Sequence, residues 1–188
     1  MDITLNNIIT TNKITNISIF IYAKNNNKIT FLLGKENNTP FNKTDVDLFC
    51  EFHGIFINDE SIEQATSRII FEKTMNMIED TDKLEKIIPS LPYVIDTENN
   101  RIIFAYEINY LDNIVVPKFY NKIFSYLNLC TSSNTQGHTF IDSCPIGFLD
   151  KSELAWFSTN DIWLNQTKFS IDFYKNLDKI TDKIFKSN

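Results

Sequence analysis

Runs of apolar residues broken by polar clusters set out the first elements. Asn16 to Ala23, NISIFIYA, is rich in β-branched and aromatic residues and predicts a strand. Asn25 to Asn27 marks a turn, and Ile29 to Gly34, ITFLLG, predicts the second arm of a hairpin. Residues 1–15 are polar with scattered Ile and Thr and predict a loose lead-in or an edge strand. Glu36 to Lys43 reads as a loop, and Val46 to Ile57 as strand-like material. The apolar period then lengthens. Ser61 and Gln64 have the spacing of a capping box, and a helix from Ile62 to about Glu79 places Ile62, Thr66, Ile70 and Met77 on one buried stripe.

The second half continues the pattern. Asp80 to Pro92 is a charged connection marked by Pro89 and Pro92. Tyr93–Asp96 and Arg101–Tyr110 predict paired strands across a turn at Glu98–Asn100. Pro117 suits the first turn of a helix whose predicted buried stripe is Phe119, Ile123 and Leu127. Thr131 to His138 is a polar loop, and Ser152 to Phe157, SELAWF, leads into the final strand. Asn165 to Ser187 reads as one amphipathic helix with Phe169, Phe173, Leu177, Ile180 and Ile184 at helical spacing. That helix is expected either to dock on the sheet or to meet a protein partner or a second copy. The mixture of strands and helices predicts an α/β chain forming a single domain over residues 1–188.

Composition narrows the function classes. Hydrophobic residues make up 43% of the chain and aromatics 13%, enough apolar material for a sizeable core. The net charge of −6 argues against a broadly basic nucleic-acid surface. No run approaches the length of a membrane helix, and no apolar stretch follows a basic start, so a cytoplasmic protein is expected. Three cysteines, Cys50, Cys130 and Cys144, fit a reducing compartment. Cys50 and His53, with His138 and Cys144, are the residues from which a zinc site could be assembled, but on a regular strand Cys50 and His53 would point to opposite faces. The sequence holds no P-loop and no G-x-S-x-G nucleophile motif.

One stretch carries a specific spacing. Gly54 is followed after five residues by Glu60, after seven more by Arg68, and after three more by Glu72. This resembles the Nudix box, the glycine–loop–helix motif G-x5-E-x7-R-E-U-x-E-E-x-G-U with U aliphatic, here spanning residues 54–77. Gly54, Glu60, Arg68, Ile70 and Glu72 match it. Ile69 stands where the motif has an acid, Lys73 replaces the second glutamate of its pair, Met75 replaces the closing glycine, and Asn76 takes the last aliphatic position. The resemblance implies a Nudix-type α/β/α sandwich with a mixed, curved sheet. It also implies a site for cleaving a pyrophosphate joined to a nucleoside, with Mg or Mn held by box carboxylates.

The departures bear on that chemistry. Hard cations need several oxygen ligands, and acids at i, i+3 and i+4 supply them from one helix face. Those positions are Ile69, Glu72 and Lys73, so one carboxylate remains. Three readings follow. In the first, the site binds a nucleotide, an mRNA cap or RNA without efficient hydrolysis, Lys73 supplies positive charge to a phosphate, and Trp156 or Trp163 stacks a base. In the second, Glu60, Glu72 and a carboxylate from elsewhere, with Glu107 as the candidate, hold a metal while Arg68 orients the site. In the third, the protein is an interaction module that uses its C-terminal helix.

Overall fold

The structure, a computed structural model, describes residues 5–25, 28–37, 45–57, 59–132, 145 and 147–186. Its centre is a seven-stranded mixed sheet. Strands β1 (Asn16–Asn25) and β2 (Lys28–Glu36) form the expected hairpin. Next come β3 (Phe49–Cys50) and β4 (Phe52–Ile55), then β5 (Tyr93–Asp96), β6 (Arg101–Glu107) and β7 (Lys151–Ser158). β1 and β6 run parallel; the other paired strands are antiparallel.

The sheet forks. β1 pairs with β2 from Ile21↔Leu32 to the hairpin end, and its other half, Asn16 to Ile19, pairs with β4. β2 meanwhile continues past Leu32 to pair with β3 through Gly34↔Cys50 and Lys35↔Phe49. The chain from Phe49 to Ile55 therefore lies between the diverging ends of β1 and β2. It is not one regular strand: Glu51 interrupts it.

Helices cover both faces. On one face lie α2 (Ile62–Thr74), α3 (Thr81–Ile87) and α5 (Val116–Ser132), over a core that includes Ile17, Ile19, Phe52, Ile69, Phe104 and Tyr120; the short α4 (Tyr110–Asn113) precedes α5. On the other lie α6 (Thr159–Leu164) and α7 (Ile171–Lys186), over Phe20, Phe31, Leu33, Ile103 and Phe173. Alternation in β1 explains the two layers, since Ile17, Ile19 and Ile21 face one side and Phe20 and Tyr22 the other. This is the α/β/α sandwich that the sequence led us to expect.

Several elements differ from the sequence reading. Residues 5–12 form a helix, α1, in place of a loose lead-in or edge strand. The box helix ends at Thr74, because Met75 and Asn76 turn left-handed at φ 52° and 56°. Met75 thus takes the conformation for which the resembling motif keeps a glycine, at a cost of roughly 1–2 kcal/mol for a residue with a Cβ. The C-terminal segment divides: α6 and a 3-10 turn precede α7, and Phe169 sits before the helix, bridged to Phe49. The apolar stripe of α7 is buried in the core, with Phe173, Leu177, Ile180 and Ile184 at most 1% exposed. In the folded chain it is not a partner surface. Finally, α5 is rotated from the predicted register: Val116, Tyr120, Phe124 and Leu127 are buried, and Phe119 and Ile123 face out. The first two residues of the loop read at residues 131–138 fall at the end of α5 and the rest outside the described residues.

Candidate functional site

The box begins where β4 leaves the fork. Ser61 caps α2 as its spacing predicts: its hydroxyl accepts from the Gln64 backbone N–H at 3.2 Å, and the Gln64 side chain accepts from the Ser61 N–H at 3.0 Å. Arg68 then ties the loop to the helix. Its Nε donates to Glu60 Oε1 at 2.7 Å, and Nη2 to Glu60 Oε2 at 2.9 Å and to the Ile55 carbonyl at 2.8 Å. Nη1 donates to Glu72 Oε2 at 3.2 Å. The box residues Glu60 and Glu72 are therefore joined through one guanidinium. The bonds from Arg68 hold the Glu60 carboxyl below its ordinary value. Burial raises that of Glu72 against the pull of Arg68 and Lys73.

The two substituted positions have other partners. Ile69 is fully buried and packs against Gly54, so the position that would face a metal in the motif is core here. Lys73 pairs with Asp150, in the turn before β7. The same turn brings Gly147 against Glu72. As arranged, these residues do not fit a hard divalent ion. The motif's three carboxylates are reduced to Glu72, and an ammonium sits beside it. Asp150 is the one acid the fold adds next to Glu72 and Lys73 among the described residues, and its type and position gave no sequence signal.

Glu107 and Trp156 are not brought to the box. Glu107 pairs with Tyr22 in the sheet, while Gly54 pairs with Ile17. Five residues of strand separate the two, about 17 Å at 3.3 Å per residue. Glu107 accepts from Tyr22 Oη at 3.0 Å and pairs with Lys24 at 3.2 Å. Trp156 lies five residues along β7 from Lys151, again about 17 Å away. Its indole N–H donates to the Asn113 carbonyl at 3.3 Å, and its ring meets Tyr110 edge-on. Trp163 is 49% exposed and tilted against Tyr174.

The fork holds a second, buried polar cluster. Lys151, 1% exposed, runs its stem over Gly34, where a Cβ would lie 2.7 Å from Lys151 Cδ. Its ammonium pairs with Glu36 and donates to Cys50 Sγ at 3.0 Å and to the Glu51 carbonyl at 3.3 Å. Burial would raise the Glu36 carboxyl, but the Lys151 ammonium, His53 and the bonds from Cys50 and Lys151 outweigh it and hold it down at about 2. Burial pushes the Cys50 thiol well up.

Cys50 Sγ and His53 Nδ1 are 3.9 Å apart, on the same side of the chain, contrary to the expectation from strand alternation. The interruption at Glu51 is the reason. Glu36, Cys50 and His53 have ligand atoms within 4.8 Å of one another. The Lys151 ammonium bonds two of the three, so this donor set already holds a cation and does not fit zinc. The other zinc candidates, His138 and Cys144, lie outside the described residues.

Beside this cluster is a cavity of about 200 Å³, lined by Glu36, Asp45, Cys50, Glu51, His53, Arg101, Ser170, Asp172 and Phe173. Glu51 is 2% exposed and its Oε1 accepts from Asn176 at 2.6 Å and Ser18 at 3.1 Å. Arg101 Nη1 lies 4.0 Å from that same oxygen. Glu51 Oε2 and Arg101 Nε are both buried with no hydrogen-bond partner among the described residues. A buried acceptor and a buried donor thus stand unsatisfied on two residues that line the cavity, at a cost each of about 1–3 kcal/mol. Sequence reasoning missed this cavity: Glu36 and Lys151 are 115 residues apart. Burial and the Lys151 ammonium lower the His53 pKa against Glu51 and Glu36, and the Lys73 charge adds a smaller pull.

The chain matches no protein-family model. No curated protein matches its sequence either. Solved structures do match in shape. The Nudix domain of Shewanella oneidensis NrtR, solved with ADP ribose, superposes with a TM-score of 0.50 at 14% identity, over 91% of this chain and 88% of that one. A bifunctional NMN adenylyltransferase/ADP ribose pyrophosphatase from Francisella tularensis, solved with AMP and a Mn ion, gives 0.52 at 14% identity. That match covers 94% of this chain and 46% of the bifunctional one. At these identities the likeness shows the fold: the chain has the Nudix fold.

Proposed function

We propose that this protein binds a nucleotide-type ligand, a free nucleotide, an mRNA cap or an RNA end, at a degraded Nudix site and does not hydrolyse it efficiently. One observation carries the reading: every box position that should face a metal is otherwise engaged. Ile69 is in the core, Lys73 is paired with Asp150, and Glu60 and Glu72 share Arg68. Lys73 would exchange Asp150 for a ligand phosphate and so provide charge that a metal otherwise brings. Of the residues that line the fork cavity, Glu51 and Arg101 would offer an acceptor and donors to a base edge. The acidic cavity rim, with Asp45 and Asp172, disfavours the phosphates there, so they would lie toward Lys73.

The test is a hydrolysis screen with magnesium or manganese against nucleoside triphosphates, ADP-ribose, dinucleoside polyphosphates and capped RNA, paired with calorimetry on the same compounds. Binding without turnover, weakened at least tenfold in Lys73→Glu, is the expected result. Turnover that disappears in Glu72→Gln would overturn it.

A second reading has one observation behind it. Asp150 brings a carboxylate from outside the box to the neighbourhood of Glu72. If Lys73 swings away, Glu72 and Asp150 could share a divalent ion, and the protein would be a metal-dependent Nudix hydrolase. Loss of turnover in Asp150→Asn together with Glu72→Gln would favour this reading.

A further inference from the structure

Among the strand pairs of the sheet, β1 and β6 are the parallel one, and the carboxyl ends of both open on a cleft at the end of the sheet away from the box. The cleft has a volume of about 460 Å³ and is lined by Lys24, Asn25, Glu107, Asn109, Tyr110 and Leu111. In open α/β sheets the crevice outside the carboxyl ends of the strands is where ligands bind, and small-molecule sites are of this size.

One buried tyrosine arranges the two charges of the cleft. Tyr22, 4% exposed, donates its hydroxyl to Glu107 Oε2 at 3.0 Å. Its ring lies under the Lys24 ammonium, 6.0 Å from Nζ to the centroid. Burial and the Glu107 carboxylate raise the Tyr22 phenol, so it stays the donor. Lys24 Nζ and Glu107 Oε2 are 3.2 Å apart, and their side chains are 37% and 47% exposed. Such a pair ordinarily gains little, because two free side chains must be ordered to make it; here Tyr22 holds both. Apolar groups stand beside the charges. Leu111 is 75% exposed, and the Tyr110 ring is set edge-on against Trp156 at 5.3 Å between centroids. Asn109 fixes α4 over the cleft by accepting from the Leu111 N–H at 2.9 Å.

We propose that this cleft binds a small zwitterion with an apolar side chain, in its simplest form a free α-amino acid. Charge complementarity names the class. A ligand of one sign would meet a like charge on either Lys24 or Glu107. A carboxylate beside Lys24 and an ammonium beside Glu107 instead complete a square of alternating charges. An α-amino acid carries both groups on one carbon and so matches a protein pair 3.2 Å apart. Its side chain then lies along Tyr110 and Leu111, where apolar area is removed from water. The phosphates of a nucleotide would face the Glu107 carboxylate, so this site is separate from the box and the fork cavity, and the inference does not rest on their ligand.

Calorimetry on the full chain tests it, with phenylalanine and leucine beside phenylpropionate, which lacks the ammonium, and phenethylamine, which lacks the carboxylate. Saturable binding of an amino acid is expected, with each single-charge analogue weaker by about tenfold or more. Lys24→Met and, independently, Glu107→Gln are expected to weaken binding by about tenfold or more with an unchanged circular dichroism spectrum, because both side chains lie outside the core. Tyr22→Phe keeps the ring and removes the bond to Glu107, and is expected to weaken binding less than either. Absence of saturable binding of both amino acids up to the millimolar range overturns the proposal. So does a single-charge analogue that binds as tightly as its amino acid, or binding that survives both charge substitutions.

Discussion

Ile69 and Gly54 are packed so closely that a Cβ on the glycine would lie 2.9 Å from both Ile69 Cδ1 and Cγ1. The box glycine and the position after the box arginine thus depend on each other's size. In a chain with an acid at position 69 that end of the helix would face solvent and a metal; here it closes the core.

Gly54→Ala is therefore expected to destabilise the protein by about 1–3 kcal/mol through overpacking. Ile69→Ala alone should cost about 2–5 kcal/mol for the methyl groups lost from a fully buried site. The double variant should cost less than the sum by about 1 kcal/mol or more, because each change removes the other's conflict. Urea denaturation of the four proteins measures the coupling, and simple additivity would contradict the contact.

The Lys151–Glu36 pair should behave as a buried unit. Glu36→Gln leaves a buried ammonium without its counter-charge and is expected to cost about 3–5 kcal/mol, and Lys151→Met, which strands the carboxylate, a similar amount. Combining the two should recover much of the loss, since neither charge then remains. A double variant as unstable as the sum of the singles would show that the two side chains act separately.

The same pair sets an acid limit. The Glu36 carboxyl is held at about 2 in the folded chain, below the ordinary value of 4.5. The unfolded state therefore binds more protons in this range. The stabilisation is fully present above about pH 4.5 and is lost as pH falls toward about 2. Melting temperature measured across that window should fall with acid in the wild type and fall less steeply in the Glu36→Gln, Lys151→Met variant. Parallel curves would remove Glu36 as the source.

Restoring the missing acids should restore metal affinity and reveal what the core gave up. Ile69→Glu, Lys73→Glu is expected to be less stable than the wild type without metal, because a carboxylate replaces a fully buried isoleucine. Millimolar manganese should then raise its melting temperature by several degrees, by mass action on the folded state. The wild type should shift little. An equal shift in both proteins would mean that the native residues already hold the ion.

How much was legible follows the range of the interactions. The capping box at Ser61 and Gln64, the hairpin at Asn25, the strand pair across Glu98–Asn100 and the Gly54–Glu60–Arg68–Glu72 spacing involve neighbours within a turn or two, so the sequence by itself determined them and, through them, the sandwich. Periodicity also identified α5 and the terminal helix. It could not say which side of α5 faces the sheet, because Phe119 and Ile123 offer as good a stripe as Tyr120 and Phe124. Only packing against β7 chose between them, leaving one stripe outside. The site depended on tertiary structure most of all. Asp150 reaches Lys73, Lys151 reaches Glu36, and Asn176 reaches Glu51 across 77, 115 and 125 residues. No local spacing encodes such partners, and burial makes their charges depend on one another. The interruption at Glu51, which turns Cys50 and His53 to the same side, is likewise a product of the forked sheet.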